Sequence, residues 1–376
     1  MTAPTAHPPT ALRPIPTKPE DLSAEWLTTV LRQNGFDGAL SGFRTERFGE
    51  GAGMMSLLTR VELDYAGGSG PASVVVKMPA TSDANRATAV AFHCYERETI
   101  FLRDVSARTP ARIPSVYHAD IEGEEDFVVV MEDMRGYDIG DQVIGCTIEQ
   151  ARLGMPCIAQ FHSSFWGKVD QPEYDFIPYH YPSYFSDAMH GTAIQVWDRM
   201  VEFAGDALPR ELREVKEEYL AAIPALQKWA TDEPRTIVQG DFRMDNLFFG
   251  TSPDQAPIAL SDWQGLLRGK AAHDIAYFLS QSTPTELRRE HERELVGLWH
   301  AGLVAGGVKD YSAEQAWEDY RRSVLSLWSY VTVISGVLEE GNDRGRQWMT
   351  EMVRRSAATI LDLDLLDLLP EFSAQD

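Results

Sequence analysis

The chain has 376 residues, with 34 Lys and Arg against 57 Asp and Glu, so its formal net charge is −23. This charge argues against a duplex nucleic-acid binder, which needs a basic surface. The hydrophobic content of 44% excludes general disorder, and no apolar run reaches the roughly 18–20 residues that span a bilayer. The length predicts two packed units or one domain of two lobes.

The N-terminus and the cysteines indicate a cytoplasmic protein. Residues 1–20 are rich in proline and lack the apolar core of a signal peptide, so we expect residues 1–18 to form a disordered extension. Cys94, Cys146 and Cys157 form no CxxC pair and have no zinc-site spacing. A sparse, odd set of this kind is typical of a reducing compartment. We therefore expect no membrane partner.

Residues 19–134 have the pattern of a small antiparallel sheet. A helix is expected from about Thr17, followed by alternating strands over 58–65 and 73–77 on either side of a glycine-rich turn. A helical stretch over 83–105 precedes two more strand candidates, 115–119 and 127–131. This order predicts an N-lobe in which the sheet carries one main helix on one face.

From residue 135 the pattern is mainly helical and predicts a larger C-lobe over 135–376. Pro156 is expected to start or kink a buried helix around Phe161. The aromatic-rich stretch 171–203 is interpreted either as a wall or lid over a flat or apolar acceptor, such as a steroid-like alcohol, or as a packed helical insert. Short strands are predicted at TIVQ, NLFF and IALSDW, with long helices after them. Because no flexible linker separates the halves, we predict an α+β fold of two lobes joined by a short hinge.

A glycine loop, Gly49-Glu-Gly51-Ala-Gly53, lies between two predicted strands. Glycines let backbone N–H groups approach phosphate oxygens, although a flexible hairpin is the alternative. A Rossmann motif is excluded because Ser56 stands where the third glycine belongs and a strand follows. A Walker A motif at 265–270 is one residue too short.

Lys77 and Glu98 form a candidate buried pair. Lys77 ends a run of three valines, and Glu98 shares a helical stripe with apolar residues. A buried carboxylate needs a cation, for which Lys77 is the nearest candidate. The pair is either a structural salt bridge or the pair with which a phosphotransferase holds a lysine against phosphates.

The segments 237–249 and 258–264 carry the third candidate set. Asp241 and Asn246 lie between short apolar strands, and Asp262 closes the next strand. A short turn between those strands would bring Asn246 and Asp262 side by side, where a carboxylate and an amide oxygen suit Mg²⁺ with phosphates. Asp241 then accepts a hydroxyl proton.

With these motifs the chain resembles the aminoglycoside phosphotransferase and choline kinase-like family, the small-molecule branch of the protein-kinase-like fold, and within it the ecdysteroid-kinase-like group. The resemblance covers residues 25–340 and is most specific at QGDFRMDN and SDWQ. It implies ATP and Mg²⁺ as cofactors and a small-molecule hydroxyl as acceptor.

By position, the resemblance implies Asp241 as catalytic base and Asn246 and Asp262 as Mg²⁺ ligands. The residues that it implies for nucleotide binding are Gly49, Gly51, Gly53, Ser56, Lys77, Glu98, Glu132 and Met134, the last two in the hinge that reads adenine. It also implies structural roles for His162 and for Asp274, which braces the catalytic loop. The chain departs from the family at Gln239, where most members have His, so loop geometry and rate are open.

Two alternatives without catalysis remain. One is a nucleotide-binding pseudoenzyme, which only Gln239 favours. The other is an interaction protein whose C-terminal helix binds a partner through the apolar residues Ile360, Leu361, Leu365, Leu366 and Leu369. A protein kinase is disfavoured because no activation segment follows Asp262. The acceptor is also open: residues 136–376 hold 21 basic and 38 acidic residues, which suits either a cationic acceptor or a solvated surface.

Overall fold

The computed structural model describes residues 12–48, 55–337 and 343–373. The chain divides into two compact units. The first holds the described residues up to Thr109, then Ile113–Gly136 and Asp262–Gln264, and the second holds Pro110–Arg112, Tyr137–Ser261 and the chain from Gly265 onward. The α+β class that the sequence predicts is confirmed.

The described residues of the first unit contain one antiparallel five-stranded sheet with the order β1-β2-β3-β5-β4. Its strands are β1 (Ala39–Phe48), β2 (Ser56–Gly67), β3 (Ser73–Pro79), β4 (Val116–Glu122) and β5 (Asp126–Glu132). Its helices are α1 (Ala24–Gln33), α2 (Asp83–Ala91) and α3 (Cys94–Ile100), with a 3-10 turn at Pro19–Asp21 and a π-helical turn at Phe101–Val105.

Both faces of this sheet carry helices, whereas the sequence analysis expected one. Val74, Val76 and Met78 of β3 pack in one core with α1 residues such as Val30. Lys77 lies between Val76 and Met78, so strand alternation directs it to the opposite face. On that face the Tyr95 ring of α3 stacks on Phe127, with centroids 4.3 Å apart. The sheet therefore separates an apolar core from the lysine.

Four details of the first unit differ from the expectations. Ile15 is buried in the α1 core and Leu12 packs against it, so the described part of the predicted extension, residues 12–18, is packed on the first unit. The first helix begins at Ala24, because the Ser23 hydroxyl accepts the Trp26 N–H as an N-cap. The predicted helix 83–105 breaks at His93, whose φ is +51°. The sequence analysis did not predict strand β1, because its polar, largely exposed sequence does not alternate between apolar and polar residues.

The second unit is mainly helical, and its strands are short. The helices are α4 (Ile148–Phe165), α5 (Tyr184–Ala204), α6 (Arg210–Glu214), α7 (Lys216–Trp229), α8 (Ala272–Tyr277), α9 (Thr285–Ala305), α10 (Ala313–Val337), α11 (Asp343–Asp362) and α12 (Leu369–Ser373). The strands β6 (Asp138–Ile139), β8 (Leu247–Phe249) and β9 (Ile258–Leu260) form one sheet, and β7 (Thr236–Val238) pairs with β10 (Leu267–Gly269).

Burial decides two of the open interpretations. Tyr174, Phe185 and Trp197 are buried, so much of the aromatic stretch is packed core. Leu365 and Leu369 are also buried within the chain, which removes most of the apolar face proposed for partner binding. Pro156 lies inside α4 rather than at its start.

Two kinds of feature are absent from the described ranges. No helix of residues 12–48, 55–337 or 343–373 is long and apolar enough to cross a bilayer. Within the same ranges, no group of three or more His, Cys, Asp and Glu side chains is arranged to hold a metal ion. The three cysteines are buried and unpaired by disulfides.

Ile15→Ala tests whether the N-terminal segment belongs to the first unit. The change removes buried methyl groups from the α1 core, so the free energy of unfolding should fall by about 2–4 kcal/mol. Urea unfolding measures it. Lys18→Ala, whose side chain is 64% exposed, is the control and should change stability by less than about 0.5 kcal/mol. Equal stability of both variants would mean that Ile15 contributes no packing.

Candidate active site

In the first unit, Lys77 meets two carboxylates. Its Nζ lies 2.8 Å from the Glu98 carboxylate and 3.4 Å from Asp262 Oδ1. Lys77 and Glu98 are 5% and 1% exposed, while the Asp262 side chain is 33% exposed. The buried Lys77–Glu98 pair predicted from the sequence is therefore present.

The charges of this group depend on one another. Burial lowers the pKa of Lys77, but Asp262 and Glu98 raise it by more, to about 12. Burial raises the pKa of Glu98, and the attraction of Lys77 opposes that rise. The lysine therefore stays positively charged at neutral pH. Because it is buried, its charge is poorly solvated and attracts an anion more strongly than an exposed lysine would.

Asp262 has a left-handed backbone, with φ at +62°. Residues after it fix the segment inside the first unit: the Trp263 ring stacks on Phe101 at 4.5 Å, and the Trp263 N–H donates to Glu98 over 3.3 Å. Gln264 Nε2 donates to the Ser56 hydroxyl over 2.7 Å. Non-glycine residues in this conformation concentrate at functional sites, because surrounding contacts must offset the strain.

The structure describes three of the other predicted nucleotide-binding residues, Ser56, Glu132 and Met134. Gly49, Gly51 and Gly53 lie outside the described residues. Ser56 is buried at the start of β2. Glu132 ends β5, where its N–H and carboxylate bond to the Ser115 backbone, and Met134 is buried two residues later.

In the second unit, short strands position the loop that carries Asp241. This residue comes three positions after the end of β7, and Asn246 directly precedes β8. Because β8 and β9 pair antiparallel, Ser261 lies opposite Asn246, and its N–H donates to the Asn246 carbonyl over 3.0 Å. Asp262 is the next residue in the chain.

Asp274 holds the turn before Asp241. Its carboxylate is fully buried and accepts the N–H groups of Gln239 (2.7 Å) and Gly240 (2.8 Å). His162 Nε2 lies 2.9 Å from the same carboxylate, while Trp299 donates to His162 Nδ1. Since Nδ1 accepts, His162 is the neutral tautomer that donates through Nε2. These contacts fit the loop-bracing role implied for Asp274 and the structural role implied for His162.

Gly240 is required by geometry. Its φ is +81°, and a Cβ there would lie 1.9 Å from the Gly265 carbonyl oxygen. No side chain fits this approach of the two backbones.

Gln239 fixes the loop by two hydrogen bonds of its side chain. Its Oε1 accepts the Asp241 N–H over 2.8 Å, and its Nε2 donates to the Ser261 carbonyl over 3.1 Å. A neutral amide therefore supplies both a donor and an acceptor at the family's usual histidine position.

Asn246 and Arg243 both donate to the Asp241 carboxylate. Asn246 Nδ2 lies 2.9 Å from Asp241 Oδ2, and Arg243 Nε lies 3.1 Å from the same oxygen. The sequence analysis missed Arg243. Its position two residues after Asp241 was the available signal, but periodicity alone does not direct a loop side chain.

The structure thus contains two sets of predicted residues. Lys77, Glu98 and Asp262 are together in the first unit, and Asp241 and Asn246 are together in the second. Convergence of the two sets on one nucleotide stays a prediction.

Comparison with protein families identifies the chain's relatives. The model of the ecdysteroid kinase-like family matches residues 50–309. The chain belongs to that family. This assignment confirms the resemblance and supports phosphotransfer as the general kind of reaction. No curated protein matches the chain in sequence.

Solved structures with the same fold include a putative aminoglycoside phosphotransferase from Ralstonia eutropha (16% identity, 90% of this chain and 97% of that one, TM-score 0.52). A GDP complex of an aminoglycoside 2′-phosphotransferase of type IIIa has 14% identity and TM-score 0.54, covering 94% and 98% of the two chains. Plasmodium vivax ethanolamine kinase has 11% identity and TM-score 0.52, covering 88% and 86%. These similarities confirm the predicted fold of small-molecule kinases.

Glu98→Gln, Lys77→Met and the double variant test the buried pair. Each single change leaves a buried charge with one partner fewer, so each should lower the free energy of unfolding by about 3 kcal/mol. The double variant should lose less than the sum of the two. Urea unfolding gives all three values.

Glu96→Gln is the matched control on the same helix. Glu96 pairs with His93 and both side chains are over 40% exposed (43% and 41%), so the expected change is less than about 0.5 kcal/mol. Additive effects of the Glu98 and Lys77 changes would contradict the coupling.

Proposed function

We propose that the chain transfers the γ-phosphoryl group of ATP to a hydroxyl of a small molecule, with Mg²⁺. The observation that carries the proposal is the ion pair of Lys77 with Glu98 and Asp262, a desolvated ammonium held by one buried and one partly exposed carboxylate. A purely structural pair needs only Glu98. Asp262 adds a second carboxylate beside the ammonium, and in phosphotransferases a carboxylate of this kind holds phosphate-bound Mg²⁺.

In this function Lys77 contacts the phosphates and Glu98 keeps its ammonium in place. The pKa of about 12 keeps Lys77 charged throughout the physiological range. The loop 49–56 would cover the phosphates, with its glycines Gly49, Gly51 and Gly53 giving the backbone close access. The backbone of Glu132–Met134 would pair with the purine.

The donors present suit magnesium. Asp262 offers a partly exposed carboxylate on a left-handed backbone, and Asn246 directs its Nδ2 to Asp241, which makes the amide oxygen its ligand atom. One carboxylate and one amide oxygen are a typical protein share of a Mg²⁺ site completed by phosphates and water. When bound, Mg²⁺ would neutralise charge on the phosphates.

Asp241 would orient the acceptor hydroxyl and take its proton. Asn246 and Arg243 both donate to Oδ2, which fixes the rotation of the carboxylate. Gln239 and Asp274 fix the backbone on which Asp241 sits. The loop is thus built before substrate binds, which lowers the reorganisation needed for transfer.

Asp241→Asn should abolish acceptor-dependent ADP release, because the amide cannot take a proton. The affinity for MgATP should change less than about threefold. The assay is a coupled ADP-release screen of hydroxylated metabolites, amino sugars and sterols, with ATP and GTP compared as donors. Nucleotide affinity is measured separately by calorimetry.

Asp232→Asn is the control, since this exposed residue of the second unit loses the same charge. It should retain full turnover. Near-normal turnover of Asp241→Asn would refute the assigned role. Tight MgATP binding by the wild type without ADP release for any acceptor would favour the pseudoenzyme that Gln239 suggested.

A further inference from the structure

Helix α11 contacts the loop that carries Asp241 (residues 239–246, called the catalytic loop below) through Trp348. The Arg243 guanidinium carbon lies 4.9 Å above the centre of the Trp348 ring, while Arg243 Nε donates to Asp241 Oδ2. The Arg243 side chain is 12% exposed, and such a partly desolvated cation is attracted to the ring face. The Trp348 indole therefore restricts the position of the Arg243 guanidinium. The guanidinium in turn restricts the orientation of the Asp241 carboxylate.

Arg344 makes a second contact one turn earlier on the same face of α11. Its guanidinium donates to Asp141 over 2.9 Å and to Asp245 over 3.4 Å. Asp245 Oδ1 also accepts the Gln142 N–H over 2.9 Å. Arg344 thus ties together the catalytic loop and the segment that follows β6.

Arg355 anchors α11 to that segment. It is 6% exposed, and it donates to the carbonyls of Gln142 (3.0 Å) and Val143 (2.6 Å). Gln142 Oε1 in turn accepts the Met244 N–H of the catalytic loop over 3.0 Å. Three side chains spaced along one helix therefore reach both segments around Asp241.

We propose that Trp348 and Arg344 are positioning residues for Asp241, which they hold through Arg243 and Asp245. The inference rests on the proposed function, because it assumes that Asp241 is the base. Neither residue touches substrate in this scheme. Trp348 keeps the Arg243 cation beside the carboxylate, and Arg344 keeps the loop backbone in register with residues 141–144.

The test uses the full chain with MgATP and water as the acceptor, and follows slow ADP release. Trp348→Leu should lower kcat about tenfold and leave KM for MgATP within about twofold. Arg344→Gln should also lower kcat at an unchanged KM, because the loop loses its tie to Asp141. Trp348→Phe keeps an aromatic face and should restore kcat to within about twofold of the wild type.

Trp317→Leu is the matched control. The Arg293 guanidinium lies 3.6 Å from the centre of the Trp317 ring, so the same kind of pair is removed elsewhere in the second unit. This variant should match the wild type in kcat and in KM for MgATP. An unchanged kcat in Trp348→Leu, or an equal loss of kcat in Trp317→Leu, would overturn the positioning role.

Amide hydrogen exchange separates failure of the inference from failure of the proposed function. Trp348→Leu should exchange faster than the wild type over residues 239–246, and Trp317→Leu should not. If the wild type releases no ADP but this exchange pattern is found, the coupling of α11 to the loop stands and phosphotransfer fails. If exchange over 239–246 is unchanged in Trp348→Leu, the inference fails whatever the activity.

Discussion

The structure depends on a constraint that operates in both units: a charge removed from water needs fixed partners. In the first unit the ammonium of Lys77 has Glu98 and Asp262. In the second, the Asp274 carboxylate has two loop N–H groups and His162. Burying a charge without such partners costs several kcal/mol. The fold is therefore committed to these contacts, and they position the groups on which the chemistry would depend.

The two units meet this constraint differently. The first places opposite charges on two regular elements, Lys77 on strand β3 and Glu98 on helix α3. The second uses a carboxylate to receive backbone groups, so it fixes a loop that has little regular structure of its own. In the second unit the hydrogen bonds of Gln239 add to this effect without any charge.

Periodicity predicted the parts of the site that regular elements carry. The alternation around Lys77 and the helical stripe around Glu98 each depend on a single element, and the pairing of strands β8 and β9 followed from short apolar runs beside a turn. The site residues that periodicity missed, Arg243, Arg344 and Trp348, meet across large sequence separations. Their contacts depend on how helices pack, which local patterns do not encode.

The same reasoning explains the errors in the fold. Ile15 is flanked by Pro14 and Pro16, so composition suggested disorder, but Ile15 and Leu12 both pack in the α1 core. The helix predicted over 83–105 contains no proline or glycine that would indicate a break within it. The break lies at His93, whose left-handed backbone no local sequence pattern marks.

The backbone of Asp262 restricts which amino acids evolution can place there. At a φ of +62°, Asp, Asn and Gly are tolerated far better than other residues, since a short polar side chain bonds locally and glycine has no Cβ. Glutamate would preserve the charge but not this backbone. Divergence at this position should therefore run through asparagine or glycine, and either one removes the negative charge.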